Sequence, residues 1–337
     1  MSVSRPRLLY AVQTTGNGHL TRSLDIVPLL QARADVDVLL SGPPTTMALP
    51  YAPAHRVTGM GFVFGTKGDI DFPKTLGQIH GRTFLREMRA LPVADYDLVI
   101  SDFEPVSAWA CKLRNRPCVA LSHQDAVLNR HAPQSRKPDV PGRLVLKHFA
   151  PATAHYGFHF QAYDACIFTP VIRQQVRALV PRNDGHYTVY LPAYATETLV
   201  AALRRLSRKM PFEIFSKHAA TDEQHGNVRV RPVSGADFLA SLGASEGVLC
   251  GAGFETPAEA LFLGKKLLVS PMRSQHEQRC NAAALRAMGV PVIKNLDAKA
   301  LDVVRAWLLD GEVIPVNYPD ETGAVLDRVL AENLDRK

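Results

Sequence analysis

Apolar runs alternate with stretches in which apolar positions recur every three or four residues, and the rhythm persists along nearly the whole chain. Residues 8–13 (LLYAVQ) are the first run; Leu20, Leu24, Val27 and Leu30 then recur at helical spacing, and residues 36–40 are the next run. Such runs read as buried strands and such spacing as helices. The same reading places strands at 98–101, 118–122 and 166–169, with a helix at 105–113. In the second half it places strands at 187–191, 213–215, 228–230, 247–250 and 267–270, and helices at 197–206, 238–242, 254–263 and 277–288. Alternation of this kind in both halves predicts an α/β protein of two doubly wound, mainly parallel sheets facing one another. Residues 181–186 (PRNDGH) combine Pro, Asn, Asp and Gly and mark the linker. Domains are therefore expected at 1–182 and 183–315, with a C-terminal helix within 316–337 packing back on the first.

Composition narrows the class. The chain has 337 residues, enough for two domains of ~150. With 46% hydrophobic and 21% charged residues it can bury two cores and is not mainly disordered. The longest uncharged stretch, residues 38–54, contains four prolines and falls short of the ~20 apolar residues a spanning helix needs. The first residues offer only five apolar positions in a row, too few for the core of a secretion signal. Five cysteines, without a Cys-x-x-Cys pair, argue against a disulfide framework or a zinc site and point to the reducing cytoplasm. The net charge of +7 permits nucleic acid, anionic lipid or a phosphorylated small molecule as partner. Its basic residues form no aromatic-interleaved stripe and no recognition-helix motif, which sets nucleic acid aside.

Candidate chemistry is sought in the turns that follow parallel strands, where doubly wound sheets bind ligands. Gly251-Ala252-Gly253-Phe254-Glu255-Thr256-Pro257-Ala258-Glu259 runs from a strand through two glycines into a helix. Glycines let a phosphate approach the backbone, and the first N–H groups of a helix favour a dianion. The same residues also spell a capping box, Thr256 to Glu259 with Pro257 at the helix start. One strand later, Ser270-Pro271-Met272-Arg273-Ser274-Gln275-His276-Glu277-Gln278 continues to Asn281. Its amides and carboxylate suit sugar hydroxyls, although Ser274 and Glu277 are equally placed for a second capping box. Near the start, Thr14-Thr15-Gly16-Asn17-Gly18-His19-Leu20-Thr21-Arg22 follows the first strand, and Asp102 follows a later one. Asp102 is also a candidate helix N-cap. Ser122-His123-Gln124-Asp125 lies past another strand end. Between residues 130 and 147, Arg130, Arg136, Lys137, Arg143 and Lys147 face one acid, Asp139, among His131, Pro133, Pro138 and Pro141. That run reads as a solvated loop, a lid over an acidic acceptor, or a contact with anionic lipid.

The two segments around Gly253 and Glu277, at this spacing, resemble the donor-site signature of UDP-sugar glycosyltransferases of the GT-B fold. The similarity covers plant-type UDP-glycosyltransferases and the peptidoglycan N-acetylglucosaminyl transferase. Gly253, Phe254, Glu255, Thr256 and Glu259 fit its first part, and Glu277, Gln278 and Asn281 its second. The resemblance implies that the backbone around Gly251 and residues 253–256 holds a diphosphate, Glu259 the ribose, and Glu277 and Gln278 the donor sugar. Gln275 and Gly18 are placed with the donor, and Val233 resembles the loop residue whose backbone reads uracil. The Gly16–His19 turn is similar to the one that opens the acceptor domain. That similarity makes His19 the general base, which suits an imidazole titrating near neutrality, and Asp102 its orienting acid.

The chain departs from the family in three places. Gly251 stands where plant-type enzymes have His, and Pro192-Ala193-Tyr194-Ala195 replaces a Gly-rich loop. Arg22 replaces a common Pro, which signals contact with an anionic acceptor or a donor phosphate. Arg22, His123, Gln124 and Asn281 are expected at substrate. The expectation is an inverting transfer of a hexose or N-acetylhexosamine from a UDP-sugar to a hydroxyl acceptor, which is a glycolipid, a cell-envelope precursor or a small molecule, with an anionic or lipid-linked one among the options. No cofactor, no metal and no Asp-x-Asp clamp is expected. The location expected is cytoplasmic, peripheral on the inner face of the membrane. The alternative is a nucleotide-sugar epimerase or hydrolase of the same fold.

Overall fold

The computed structural model describes residues 5–15, 17–45, 47–60, 81–137, 139–272 and 274–334. Gly16, Pro138 and Arg273, singled out above, lie outside them. The first half runs β1 (Arg7–Gln13), α1 (Asn17–Gln31), β2 (Asp35–Ser41), β3 (His55–Val57), α2 (Gly81–Ala90), β4 (Leu98–Asp102) and α3 (Pro105–Leu113). It continues through β5 (Cys118–Leu121), α4 (His123–Leu128), α5 (Val140–Phe149), β6 (Ala154–Phe158), β7 (Ile167–Phe168) and the short α6 (Gln174–Arg177). Its strands form one seven-stranded sheet in the order β3-β2-β1-β4-β5-β6-β7, with every pairing parallel.

The second half runs β8 (Tyr187–Tyr190), α7 (Thr196–Leu206), β9 (Phe212–Ser216), β10 (Glu223–His225), β11 (Val228–Pro232), α8 (Gly235–Ala244) and β12 (Gly247–Gly251). Then come α9 (Glu255–Phe262), β13 (Lys266–Ser270), α10 (His276–Ala287), α11 (Ala298–Asp310) and α12 (Thr322–Asn333). The second sheet has the order β10-β11-β9-β8-β12-β13, with only β10 antiparallel. Parallel strands covered by helices on both faces must be apolar throughout, which is why they read as continuous runs in the sequence.

Strand order reverses between β1 and β4 in the first sheet, and between β8 and β12 in the second. At such switch points the loops after neighbouring strands diverge and leave a crevice. His19 and Asp102 follow β1 and β4, and Gly253 follows β12. One cluster of buried side chains links the halves, from Tyr10 of β1 through Phe158 and Phe160 to Phe254 and Leu261. Helix α12 rests on the first half, where Arg33, in the turn after α1, donates to Asp327 (2.5 and 3.0 Å) and Tyr156 donates to Glu332 (2.5 Å).

The basic run at 130–147 is not one solvated loop. Its second part is α5, capped by Asp139, whose carboxylate accepts Gly142 N–H at 3.0 Å. Asp139 is also paired with Arg279 of α10, tying this segment to the second half. Pro141, Gly142, Val145 and Leu146 of α5 turn toward the space between the sheets. Arg143 and Lys147 face outward.

Candidate active site

Between the switch points lies a cavity of about 1170 Å³, lined by residues of both halves. Its floor on the side of the first half is a buried charge network. His19 sits in the first turn of α1, 8% exposed, with Nδ1 2.8 Å from Asp102 Oδ1. Arg22, one turn on, donates through Nη2 to both Asp102 oxygens (2.7 and 2.9 Å) and through Nε to Oδ2 (3.2 Å). The Tyr10 hydroxyl donates to Asp102 Oδ2 at 3.3 Å. Burial pushes the Asp102 carboxyl up, but Arg22 and His19 outweigh it and hold it at about 2. Asp102 is thus a carboxylate at any working pH.

His19 Nδ1 also lies 3.3 Å from Arg22 Nη2. A guanidinium has only donors, so Nδ1 cannot both donate to Asp102 and accept from Arg22. The shorter contact, to the anion, assigns the proton to Nδ1 and leaves Nε2 as the basic atom. Gln124 Nε2 stands 3.4 Å from that Nε2 and donates to Glu277 Oε2 across the cleft at 3.0 Å. Gln124 Oε1 is buried in the cleft wall without a hydrogen-bond partner among the described residues. An orphan acceptor there suits a ligand hydroxyl.

The helix-capping alternatives do not hold. The cap of α3 is Glu104, whose carboxylate accepts Val106 and Ser107 N–H at 2.6 Å each; Asp102 caps nothing. Helix α9 starts at Glu255, so Pro257 is its third residue, and no side chain caps that end. Glu259 instead takes a two-point ion pair from Arg173, Nε to Oε1 at 2.5 Å and Nη2 to Oε2 at 2.8 Å. Helix α10 is preceded by Gln275 rather than Ser274, again without a side-chain cap.

Of the residues expected at a donor, Gly253, Phe254, Glu255, Thr256 and Glu259 line the cavity, as do Gln275, Glu277, Gln278, Val233 and Gly18. A Cβ on Gly253 would meet nothing within 4 Å, so no packing in the protein requires glycine there, and the open space suits a ligand. Gln278 is fixed by accepting Met272 N–H at 2.9 Å. Pro192 and Ala193, in place of the Gly-rich loop, form wall near Tyr190 and Phe238.

Other expected positions sit elsewhere. Gly251 ends β12 and does not line the cavity. Asn281 is fully buried, donates to Ala252 O at 3.1 Å and bonds His123 Nε2 at 2.8 Å. The His123 ring stacks on Phe254, centroids 3.9 Å apart and planes 6° apart. Asn281 therefore packs the seam and touches no substrate space. His123 reaches the cavity wall, but both ring nitrogens are engaged, with Phe158 O 2.8 Å from Nδ1, and burial lowers its pKa. Arg22 meets no open anion site directly, since its Nη1 donates to Glu255 Oε1 at 2.7 Å.

The chain does contain Asp-x-Asp triplets, at Asp35-Val36-Asp37, Asp69-Ile70-Asp71 and Asp95-Tyr96-Asp97. The first opens β2 and the third precedes β4, at the sheet end away from the cavity, with Asp37 bonded to Arg7 and Tyr96. The second lies outside the described residues.

Three residues at or behind the cleft wall carried no assigned role in the sequence reading. Phe103 has φ 56°, stacks on Phe149 at 4.8 Å and lies parallel to His19 at 6.3 Å. A left-handed aromatic beside His19 is a strained position kept by its surroundings, and its place directly after Asp102 was the available signal. Tyr10 and Arg173 gave no local signal. The cavity wall also carries apolar side chains, Phe103 beside His19 and, elsewhere along the lining, Met47, Val145 and Leu146.

A family model described as glycosyl transferase family 1 matches residues 6–309. No curated protein matches the chain. Among solved structures, the glycosyltransferase SnogD from Streptomyces nogalater is similar at 16% identity and TM-score 0.55, over 97% of this chain and 100% of that one. UGT89C1 from Arabidopsis thaliana, complexed with UDP-L-rhamnose, is similar at 13% identity and TM-score 0.60, over 99% and 95%. A UDP-N-acetylglucosamine 2-epimerase gives 14% identity and TM-score 0.59, over 98% and 97%. At these identities the likeness is one of fold.

Proposed function

From the premise that this chain belongs to glycosyl transferase family 1 and is a GT-B glycosyltransferase, we propose that it moves a hexose or N-acetylhexosamine from a UDP-sugar to a hydroxyl acceptor, inverting the anomeric carbon. The observation that carries this reading is that His19, paired with Asp102, and the uncapped start of α9 border one cavity. The acceptor hydroxyl approaches His19 Nε2, loses its proton there as its oxygen attacks the anomeric carbon, and UDP leaves from the opposite side. Asp102 keeps Nδ1 protonated and stabilises the imidazolium. Charge developing on the departing diphosphate faces the first N–H groups of α9, a preorganised electrostatic sink. Phe103, Met47, Val145 and Leu146 support an acceptor with an apolar body.

The outer face of α5 supports a peripheral role at an anionic membrane. It exposes Val140 (72%) and Leu144 (56%) beside Arg143 and Lys147. No helix among the described residues is long and apolar enough to cross a membrane.

The test is a panel of UDP-sugars. A true donor raises the melting temperature by mass action, worth ~2.7 kcal/mol at a hundredfold excess over Kd. With an apolar hydroxyl acceptor present, the product's anomeric proton coupling is expected to report inversion. Retention would refute single displacement, and free sugar or an epimer released without acceptor would replace transfer by hydrolysis or epimerisation.

A further inference from the structure

Arg22 belongs to the acceptor half, yet one of its nitrogens is bonded to the donor half. Nε and Nη2 are held by Asp102, and Nη1 reaches across to Glu255 Oε1 at 2.7 Å. Glu255 is the first residue of α9, in the stretch that the diphosphate reading assigns to the donor. Its side chain keeps 21% of its exposure and lines the cleft with Gly253 and Thr256. Gly18 makes room for it: a Cβ there would lie 3.3 Å from Glu255 Oε1. A carboxylate thus stands where the N–H groups of a helix start and a buried guanidinium converge, the surroundings a phosphate would seek.

Both signs of charge surround this carboxylate. Arg22 and His19 face it from α1, Asp102 from the end of β4, and Glu259 from its own helix, with Arg173 behind Glu259. Burial, with Glu259 and Asp102, outweighs the pull of Arg22 and raises the Glu255 carboxyl to about 7. The side chain is therefore close to giving up its charge, and an arriving dianion would push it further.

We propose that Glu255 is a built-in stand-in for the donor phosphate. Its carboxylate holds the Arg22 Nη1–H until a nucleotide diphosphate arrives; a phosphate oxygen then takes over that N–H, and Glu255 accepts one proton from solvent and turns aside. Arg22 becomes a donor-positioning residue that joins the leaving diphosphate to the Asp102–His19 pair through a single guanidinium. This rests on the nucleotide-donor reading of the same cleft.

The test is calorimetric titration of the full chain with UDP at pH 6, 7 and 8, in buffers of different ionisation enthalpy. Wild type is compared with Glu255→Gln and Glu255→Ala. UDP's own protonation is common to all three, so differences belong to Glu255. If binding needs a neutral Glu255 that titrates at about 7, both variants should bind about tenfold tighter than wild type at pH 8, about twofold at pH 7 and equally at pH 6. Wild type should also take up more protons per UDP at pH 8 than either variant. Two substitutions keep a folding defect in one of them from deciding the matter. Equal affinity and equal proton uptake would overturn the stand-in while leaving the nucleotide site intact. Weaker binding by both variants would make Glu255 a direct donor ligand, which also overturns it. Failure of wild type and variants alike to bind UDP would remove the nucleotide reading itself.

Discussion

Arg173 grips Glu259 with two parallel hydrogen bonds, 2.5 and 2.8 Å long, joining the end of the first half to the donor helix of the second. Glu259 is 3% exposed. A residue expected to read ribose is thus also half of a seam, and two roles predict two measurements. Arg173→Ala strands a buried carboxylate and should lower stability by ~3–5 kcal/mol in denaturant unfolding. Glu259→Ala should weaken UDP binding by ~1–3 kcal/mol. If Glu259→Ala loses stability but binds UDP like wild type, the carboxylate serves the seam alone.

The electrostatics predict opposite pH effects in separate windows. Glu255 has a folded pKa of about 7, above its ordinary value, so the folded state holds the extra proton. Its contribution favours folding below pH ~4.5 and is lost as pH rises toward 7, on the order of a few kcal/mol in all. The stability difference between Glu255→Gln and wild type should therefore move in the variant's favour across that window and level off above it. Asp102, held at about 2, acts in the reverse sense, and its stabilisation is lost as pH falls from ~4 to ~2. Urea midpoints from pH 2 to 8 check both. A Glu255→Gln difference that is flat between pH 4.5 and 7 would show an ordinary carboxylate.

The strands and most helices could be read from the sequence because parallel strands such as β1 are apolar on both faces. Helix α5 could not. Its sequence VPGRLVLKHF carries Pro141 and Gly142 near the start, which read as a loop, yet Pro suits a first turn. Gly142 fits because a Cβ there would come within 2.9 Å of His276 Cβ. Strand β6 was hidden for a similar reason: Gly157 lies so close to α4 that a Cβ would meet Ala126 N at 2.6 Å. The site was legible where one segment supplies it, as with His19 or Gly253. Pairings across the cleft were not, because Arg22 and Glu255 are 233 positions apart and meet only once the halves pack. The capping boxes misled because the spacing of Thr256 and Glu259 is also the spacing of two residues on one face of a helix.

Helix α5 predicts an encounter with anionic lipid. Val140 and Leu144 supply apolar area, and Arg143 and Lys147 supply charge on the outward side. Replacing Arg143 and Lys147 with Glu should reduce co-sedimentation with phosphatidylglycerol vesicles and abolish its salt dependence, since exposed charges are screened beyond ~8 Å at physiological ionic strength. Both are exposed and neither lines the cavity, so turnover of a water-soluble acceptor should stay within about twofold. Vesicle binding unaltered by the double substitution would sink the membrane role.

The catalytic assignment makes the largest prediction. His19 Nε2 is the one ring nitrogen free of the Asp102 bond, and the Phe103 ring lies parallel to His19 as a surface on which the proposed acceptor would rest. Removing a general base costs ~10²–10⁴ in rate, so His19→Ala should lose most turnover. UDP affinity should stay within about twofold, because the proposed donor contacts are Arg22 and residues of the second half, not the His19 ring. Asp102→Asn should also lower kcat. It leaves Arg22 without its anion, however, so stability must be measured beside rate. If the two residues act as a unit, the double variant should be little slower than His19→Ala alone. The alternative is that Asp102 serves only to neutralise buried Arg22. In that case Arg22→Met together with Asp102→Asn would restore stability and, at saturating UDP-sugar so that loss of the proposed Arg22 donor contact is overcome, kcat as well, whereas a catalytic Asp102 lets stability return while kcat stays low. Near-normal turnover of His19→Ala at saturating acceptor would place the base elsewhere. Gln124 and Glu277 hold the nearest remaining polar atoms, and of these only Glu277 can take a proton.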